Sequence, residues 1–150
     1  MDAALALPPP LSVPPLARRW VYAGLVPFVL SALLIWLVWP DARPYVTQAL
    51  CAYAAVVVAL LGGVHWGLAM RHSDAPARLL ASGAAFALLA WAGVMMRPDA
   101  GLVVQGVLLV AGYLVDRKLY PAEGLAAWLT LRFRFSAVAA FSCFIGAANA

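Results

Sequence analysis

Five apolar runs separated by short charged joints organise this chain. They cover about 20–39, 46–70, 79–96, 101–117 and 126–149. A membrane-crossing helix needs about 20 predominantly apolar residues, within a range of about 17–25. Three runs meet that requirement directly. The fourth, Gly101–Val115, is short and is extended to the interface by Asp116, Arg117 and Lys118. The fifth carries Arg132 and Arg134, which leaves open a second arrangement in which 124–134 lies along the surface and only 135–150 inserts. The runs are continuous rather than alternating, which excludes a β-barrel, and lipid offers no partner to the backbone of an open strand. The pattern therefore predicts an all-α integral membrane bundle of five transmembrane helices.

The joints WPDARPY, RHSDAPAR, RPDAG and DRKLYPAEG hold most of the charge and the prolines. Trp20, Trp39, Trp128, Tyr45 and Tyr120 fall near the predicted ends, where amphipathic rings favour the headgroup layer. Arg18, Arg19, Arg71, Arg78, Arg117 and Lys118 fall on one side of five crossings, and only Arg43 and Arg97 on the other. Basic residues concentrate in cytoplasmic loops, so the N-terminus is expected to be cytoplasmic and the C-terminus outside. Residues 1–17 contain five prolines and one charge and are expected to form an irregular, disordered tail, leaving 18–150 as the membrane domain. The basic pair follows this tail instead of preceding it, which is the wrong order for a signal peptide. No internal repeat is visible, and an odd number of spans argues against an inverted-repeat transporter.

Composition strengthens this reading. Of 150 residues, 66% are hydrophobic, against about 45–50% in soluble proteins, and only 11% are charged. The net charge of +4 is too small to suggest nucleic acid as a partner. Cys51 and Cys143 form no metal-ligand spacing and read as buried hydrophobes, with a disulfide as the minor alternative. No metal or other cofactor is expected.

The stretch LLGGVHWGLAM, residues 60–70, carries the candidate chemistry. Gly63 and Gly67 form a GxxxG spacing, and Gly62 adds a third small residue for helix packing. His65 points nearly opposite the Gly63–Gly67 face, on the side of Gly62 and Ala69. Small residues in several directions place this helix at the centre of the bundle. An ionisable residue inside a span usually faces the protein interior. His65 has a bland reading, a ring bonded to a carbonyl or serine on the next helix, and a sharper one, a titrating group. Trp66 is either an interfacial anchor or part of the same polar cluster. The topology brings Asp116, Arg132, Ser82 and Tyr113 to the same leaflet. Arg132 and Arg134 are two apart and point roughly 200° from each other, so either one pairs inside the bundle while the other reaches lipid phosphates, or both snorkel to the interface. The candidate polar cluster is His65, Trp66, Asp116 and Arg132, and no catalytic set is assigned. No HExxH, P-loop or paired intramembrane aspartate occurs.

The segment Leu61, Gly62, Gly63, His65, Trp66 and Gly67 resembles a signature of the domain of unknown function 3429 family, which includes transmembrane protein 69 homologues. Tyr113 with Asp116 at a span end, then Trp128, Leu131 and Arg132, is similar to a second part of that pattern, and GLVPFV resembles its opening. After the arginine the family often continues with a leucine–threonine pair, where this chain has Phe135 and Ser136. The resemblance covers about 20–150. It implies a small multi-pass protein of bacterial inner membranes, with mitochondrial relatives, and no known activity. The expected role is a non-catalytic accessory or assembly component, its partners the lipid bilayer and a membrane protein or a second copy of itself. The alternative is a small carrier or proton-coupled channel using His65, since an ordinary histidine titrates near neutral pH. A lipid-acting enzyme is the third.

Overall fold

The computed structural model describes residues 12–150. Most of the tail expected at 1–17 lies outside the described residues. Its last part is ordered: Pro15 opens α1 (Pro15–Ala23), because proline fits the first helical turn, where its missing N–H is not needed. Then follow α2 (Val26–Leu37), α3 (Arg43–Ala69), α4 (Ala77–Val94), α5 (Pro98–Ala122), a 3₁₀ turn (Ala126–Trp128) and α6 (Leu129–Ala147). No strand occurs among the described residues. The described residues present five helical segments long and apolar enough to cross a membrane, with α1–α2 and the 3₁₀ turn–α6 each counting as one. The last of these is Ala126–Ala147, and Leu131, Arg132 and Phe135 near its start are buried against the bundle.

The first span is broken where Pro27 dictates. A proline cannot donate to the carbonyl four residues earlier and clashes with it, and that carbonyl belongs to Ala23, the last residue of α1. The break frees the carbonyl of Gly24, and the Tyr53 hydroxyl donates to it at 2.8 Å. Such re-bonding is what makes a kinked helix tolerable in lipid. Tyr53 also meets Phe28 edge-on, with ring centroids 5.1 Å apart, and Phe28 meets Phe135 at 6.1 Å.

Helix α3 touches α2, α4, α5 and α6, and so occupies the centre. Phe28, Ile35, Leu50, Leu102 and Leu109 are the large apolar side chains fully buried around it. Cys51 and Cys143 are free and lie within this core, so no disulfide joins them. At the far end, Trp36 Nε1 donates to the carbonyl of Ile145 at 3.2 Å, and Asn149 Nδ2 to that of Ile35 at 3.2 Å.

The fourth span is longer than its apolar run predicts, reaching Ala122. It ends in a Schellman turn: Leu125 N–H donates to the Tyr120 carbonyl at 2.8 Å and Gly124 N–H to that of Pro121 at 3.3 Å. Gly124 has φ of 76°, a left-handed conformation that favours glycine. This turn sends α6 back along α5 and places Arg132 opposite Asp116.

The glycine face of α3 differs from the one its spacing suggests. Gly63 and Gly67 are exposed, and a Cβ on either would meet nothing. The close crossing is between Gly62 and Gly83 of α4, where a Cβ on Gly62 would lie 2.8 Å from the Gly83 carbonyl oxygen. Burial of His65 decides this. In hydrocarbon the ionisable ring outranks small residues for the interior, and Gly62 shares its face.

Gly83→Ala is therefore expected to lower stability by about 1–3 kcal/mol, as for an overpacked core. Its new methyl would fall onto Trp66 Cδ1 and 2.6 Å from the Gly62 carbonyl oxygen. Gly63→Ala should be neutral or stabilise by up to about 1 kcal/mol through helix propensity. Unfolding of both variants in detergent, by heat or by SDS titration, checks the contrast.

Candidate functional site

Four helices each contribute one polar face to a single buried cluster. On α3, Gly62, His65 and Ala69 share the inward face. On α5 it is Gly112 and Asp116, and on α6 Arg132 and Ser136, each pair four residues apart. Ser82 comes from α4. His65 and Asp116 are 1% exposed and Arg132 7%.

The bonds form one continuous chain. His65 Nε2 donates to Asp116 Oδ1 at 2.7 Å. Arg132 Nε donates to the other carboxylate oxygen, Oδ2, also at 2.7 Å. Arg132 Nη1 donates to Ser136 Oγ. Its Nη2 lies over Gly112, where a Cβ would come within 3.2 Å, so the absent side chain makes room for the guanidinium. On the other side of the imidazole, Nδ1 lies 2.9 Å from Ser82 Oγ, which is also 3.0 Å from the Leu79 carbonyl oxygen. Ser82 has one hydroxyl hydrogen, so two arrangements fit. It donates to Leu79 while accepting from an imidazolium Nδ1–H, or it donates to the Nδ1 of a neutral ring. The neutral ring leaves Asp116 and Arg132 balanced, one charge of each sign. The Phe86 ring closes the cluster edge-on to His65, centroids 5.9 Å apart.

A cavity of about 10 Å³ adjoins His65, Asp116 and Arg132. That is about the smallest volume that holds one water. Among the described residues, no group of three or more His, Cys, Asp or Glu side chains has the grouping of a metal site.

The structure brings His65, Asp116 and Arg132 together and leaves Trp66 out. Trp66 is 44% exposed, packs over Gly83 and donates from Nε1 to the Leu80 carbonyl at 2.9 Å. It pins α3 to α4 beside the cluster. Tyr113 also stays apart, its ring tilted against that of Phe133 with centroids 5.2 Å apart. Arg134 is exposed and donates to the Tyr22 hydroxyl at 3.3 Å. His72 approaches Glu123 at 3.1 Å, tying the α3–α4 loop to the end of α5. Ser136 and Gly112 were not evident as partners in the sequence. The signal was present as spacing, a serine four residues after Arg132 and a glycine four before Asp116. Such spacing names a face without saying what it meets.

Removing one member of a buried ion pair strands the other, and typically costs about 3–5 kcal/mol. Asp116→Ala and Arg132→Met should each fall in that range. The double variant should lose clearly less than their sum. A double-mutant cycle, read by SDS titration in mixed micelles, measures the coupling, and simple additivity would refute it.

Comparison with known proteins places this architecture. The family model described as "Protein of unknown function (DUF3429)" matches residues 13–148. The chain is 36% identical over 129 residues to transmembrane protein 69 of Xenopus tropicalis, covering 80% of this chain and 49% of that protein. The chain thus spans about half the length of this curated relative. No solved structure matches it. The chain, with its buried histidine–aspartate–arginine cluster, belongs to the DUF3429 family.

Proposed function

We propose that this protein is a non-catalytic accessory or assembly component of a bacterial inner membrane, or of the mitochondrial inner membrane in a eukaryotic cell, with its N-terminus in the cytoplasm or matrix. Its polar cluster is a structural clamp, and its outward surface is what it offers to other membrane components. The observation that carries this reading is the burial of His65 and the small size of the cavity beside it. His65 is buried, and the cavity beside it has room for about one water. A carrier needs a polar path to its titrating group, and the residues around this cavity are mostly apolar: Val58, Leu61, Phe86, Leu108 and Leu109. Ser82, His65 and Asp116 have the order of a hydrolase relay, but Ser82 lines neither this cavity nor the larger groove beside α1, and its hydroxyl is engaged with His65 and the Leu79 carbonyl. Large side chains such as Trp36, Leu37, Trp91 and Phe141 face outward. They suit lipid or the apolar surface of a partner.

Reconstituted into liposomes, the protein should pass neither protons nor small solutes above the background of empty vesicles, and His65→Ala should lower stability without changing that flux. Proton leak in the unmodified protein that disappears in His65→Ala would overturn the clamp in favour of a channel. A reporter fused to the C-terminus should be inaccessible from the cytoplasm, and a labelled cytoplasmic C-terminus would reverse the proposed orientation.

A further inference from the structure

A groove of about 780 Å³ runs along the outside of the bundle between α1, α3 and α6. It exists because α1, bent away at the Pro27 break, packs against α6. Trp20, Val21 and Gly24 form one wall, and Val57, Leu60 and Val64 of α3 the other. Binding sites for small molecules commonly enclose about 300–1,000 Å³. From Tyr53 to Val64 the α3 wall is about 16 Å long, at 1.5 Å per residue. That matches one leaflet of a hydrocarbon core about 30 Å thick.

The groove is graded along its length. Its deep end is apolar, closed by Tyr53 and Val57. Its other end holds Tyr120, Trp128 and Arg132. Among the described residues Arg132 is the one cation lining it; it is more than nine-tenths buried and uses Nε and Nη1 inside the cluster. The Tyr120 hydroxyl sits beside that guanidinium. Beyond the mouth, α1 presents Arg18 and Arg19, both exposed, at the end of the bundle that also carries Arg117 and Lys118. An apolar trough one leaflet deep, with hydrogen-bond donors at its upper end and a basic rim above them, is complementary to one kind of molecule.

We infer that this groove holds an anionic phospholipid of the leaflet at the basic end. Its acyl chain lies between α1 and α3. Its ester region is near Tyr120 and Arg132, and its phosphate is at the level of Arg18 and Arg19. Basic side chains near a membrane surface attract anionic headgroups, and rings such as Trp20 and Trp128 favour that interface. The occupant is distinct from bulk lipid because the groove encloses it and its donors are fixed. The site is independent of the accessory role proposed above, since a carrier or an enzyme with this fold would hold the same lipid.

Native mass spectrometry of the full chain in detergent, with phosphatidylglycerol or phosphatidylcholine of identical acyl chains added, tests this. One phosphatidylglycerol per protein should survive activation that strips phosphatidylcholine, with a preference on the order of tenfold. Leu60→Trp fills the groove from an exposed position and should abolish retention without changing the melting temperature. The double variant Arg18→Gln, Arg19→Gln keeps the groove and should bring the two lipids to near parity. Equal retention of both lipids by the unmodified protein, or undiminished retention in Leu60→Trp, would overturn the assignment. A concentration-dependent dimer that Leu60→Trp dissolves would overturn it too, by giving the groove to a second copy of the chain.

Discussion

A carboxylate surrounded by hydrocarbon is tolerable only with a cation against it, and here Asp116 meets Arg132 at 2.7 Å with His65 on its other oxygen. Both carboxylate oxygens are thereby used. The pair need not add net stability over an apolar substitute, since removing two ions from water is costly in itself. Its effect is on alternatives. A helix that slipped by a residue or turned by 100° would leave a lone charge in lipid, so the register of α3, α5 and α6 is held by what any other register would strand. Ser82 extends that constraint to α4 through the imidazole.

The packing around the cluster follows from the same requirement. With His65 turned inward, the face of α3 available for close approach is the one carrying Gly62, and α4 answers with Gly83. Trp66 then fits over Gly83 and bonds to the backbone of α4, filling space that a larger residue at 83 would take. Gly112 gives way to the guanidinium in the same manner. Three glycines in three helices thus act on behalf of one charged group and its neighbours.

The break at Pro27 acts on a different part of the molecule. It bends α1 onto α6, and the carbonyl it frees is recovered by Tyr53. The consequence is a long apolar trough whose upper end touches Arg132 from outside the clamp. One residue therefore belongs both to the interior network and to the wall of the outer groove.

Much of this was legible in the residues alone. Five long apolar runs, charged joints and continuous rather than alternating hydrophobicity require helices in lipid, because the medium leaves the backbone no other partner. The sequence also named His65, Asp116 and Arg132 as members of one candidate polar cluster, since an ionisable group inside a span is costly when exposed to hydrocarbon. It did not identify their partners. Gly63 and Gly67 have the spacing of a packing motif, yet they face outward. Trp66 neighbours His65 in the chain but lies on another face. Ser136 is marked only by its spacing from Arg132 and Tyr120 only by its place near a span end, and neither mark names a partner. Periodicity along a helix states which residues share a side, and the medium states that polar sides turn in. Which helix each side meets, and at what height, depends on contacts between residues 16 to 51 positions apart, and only the assembled bundle decides those.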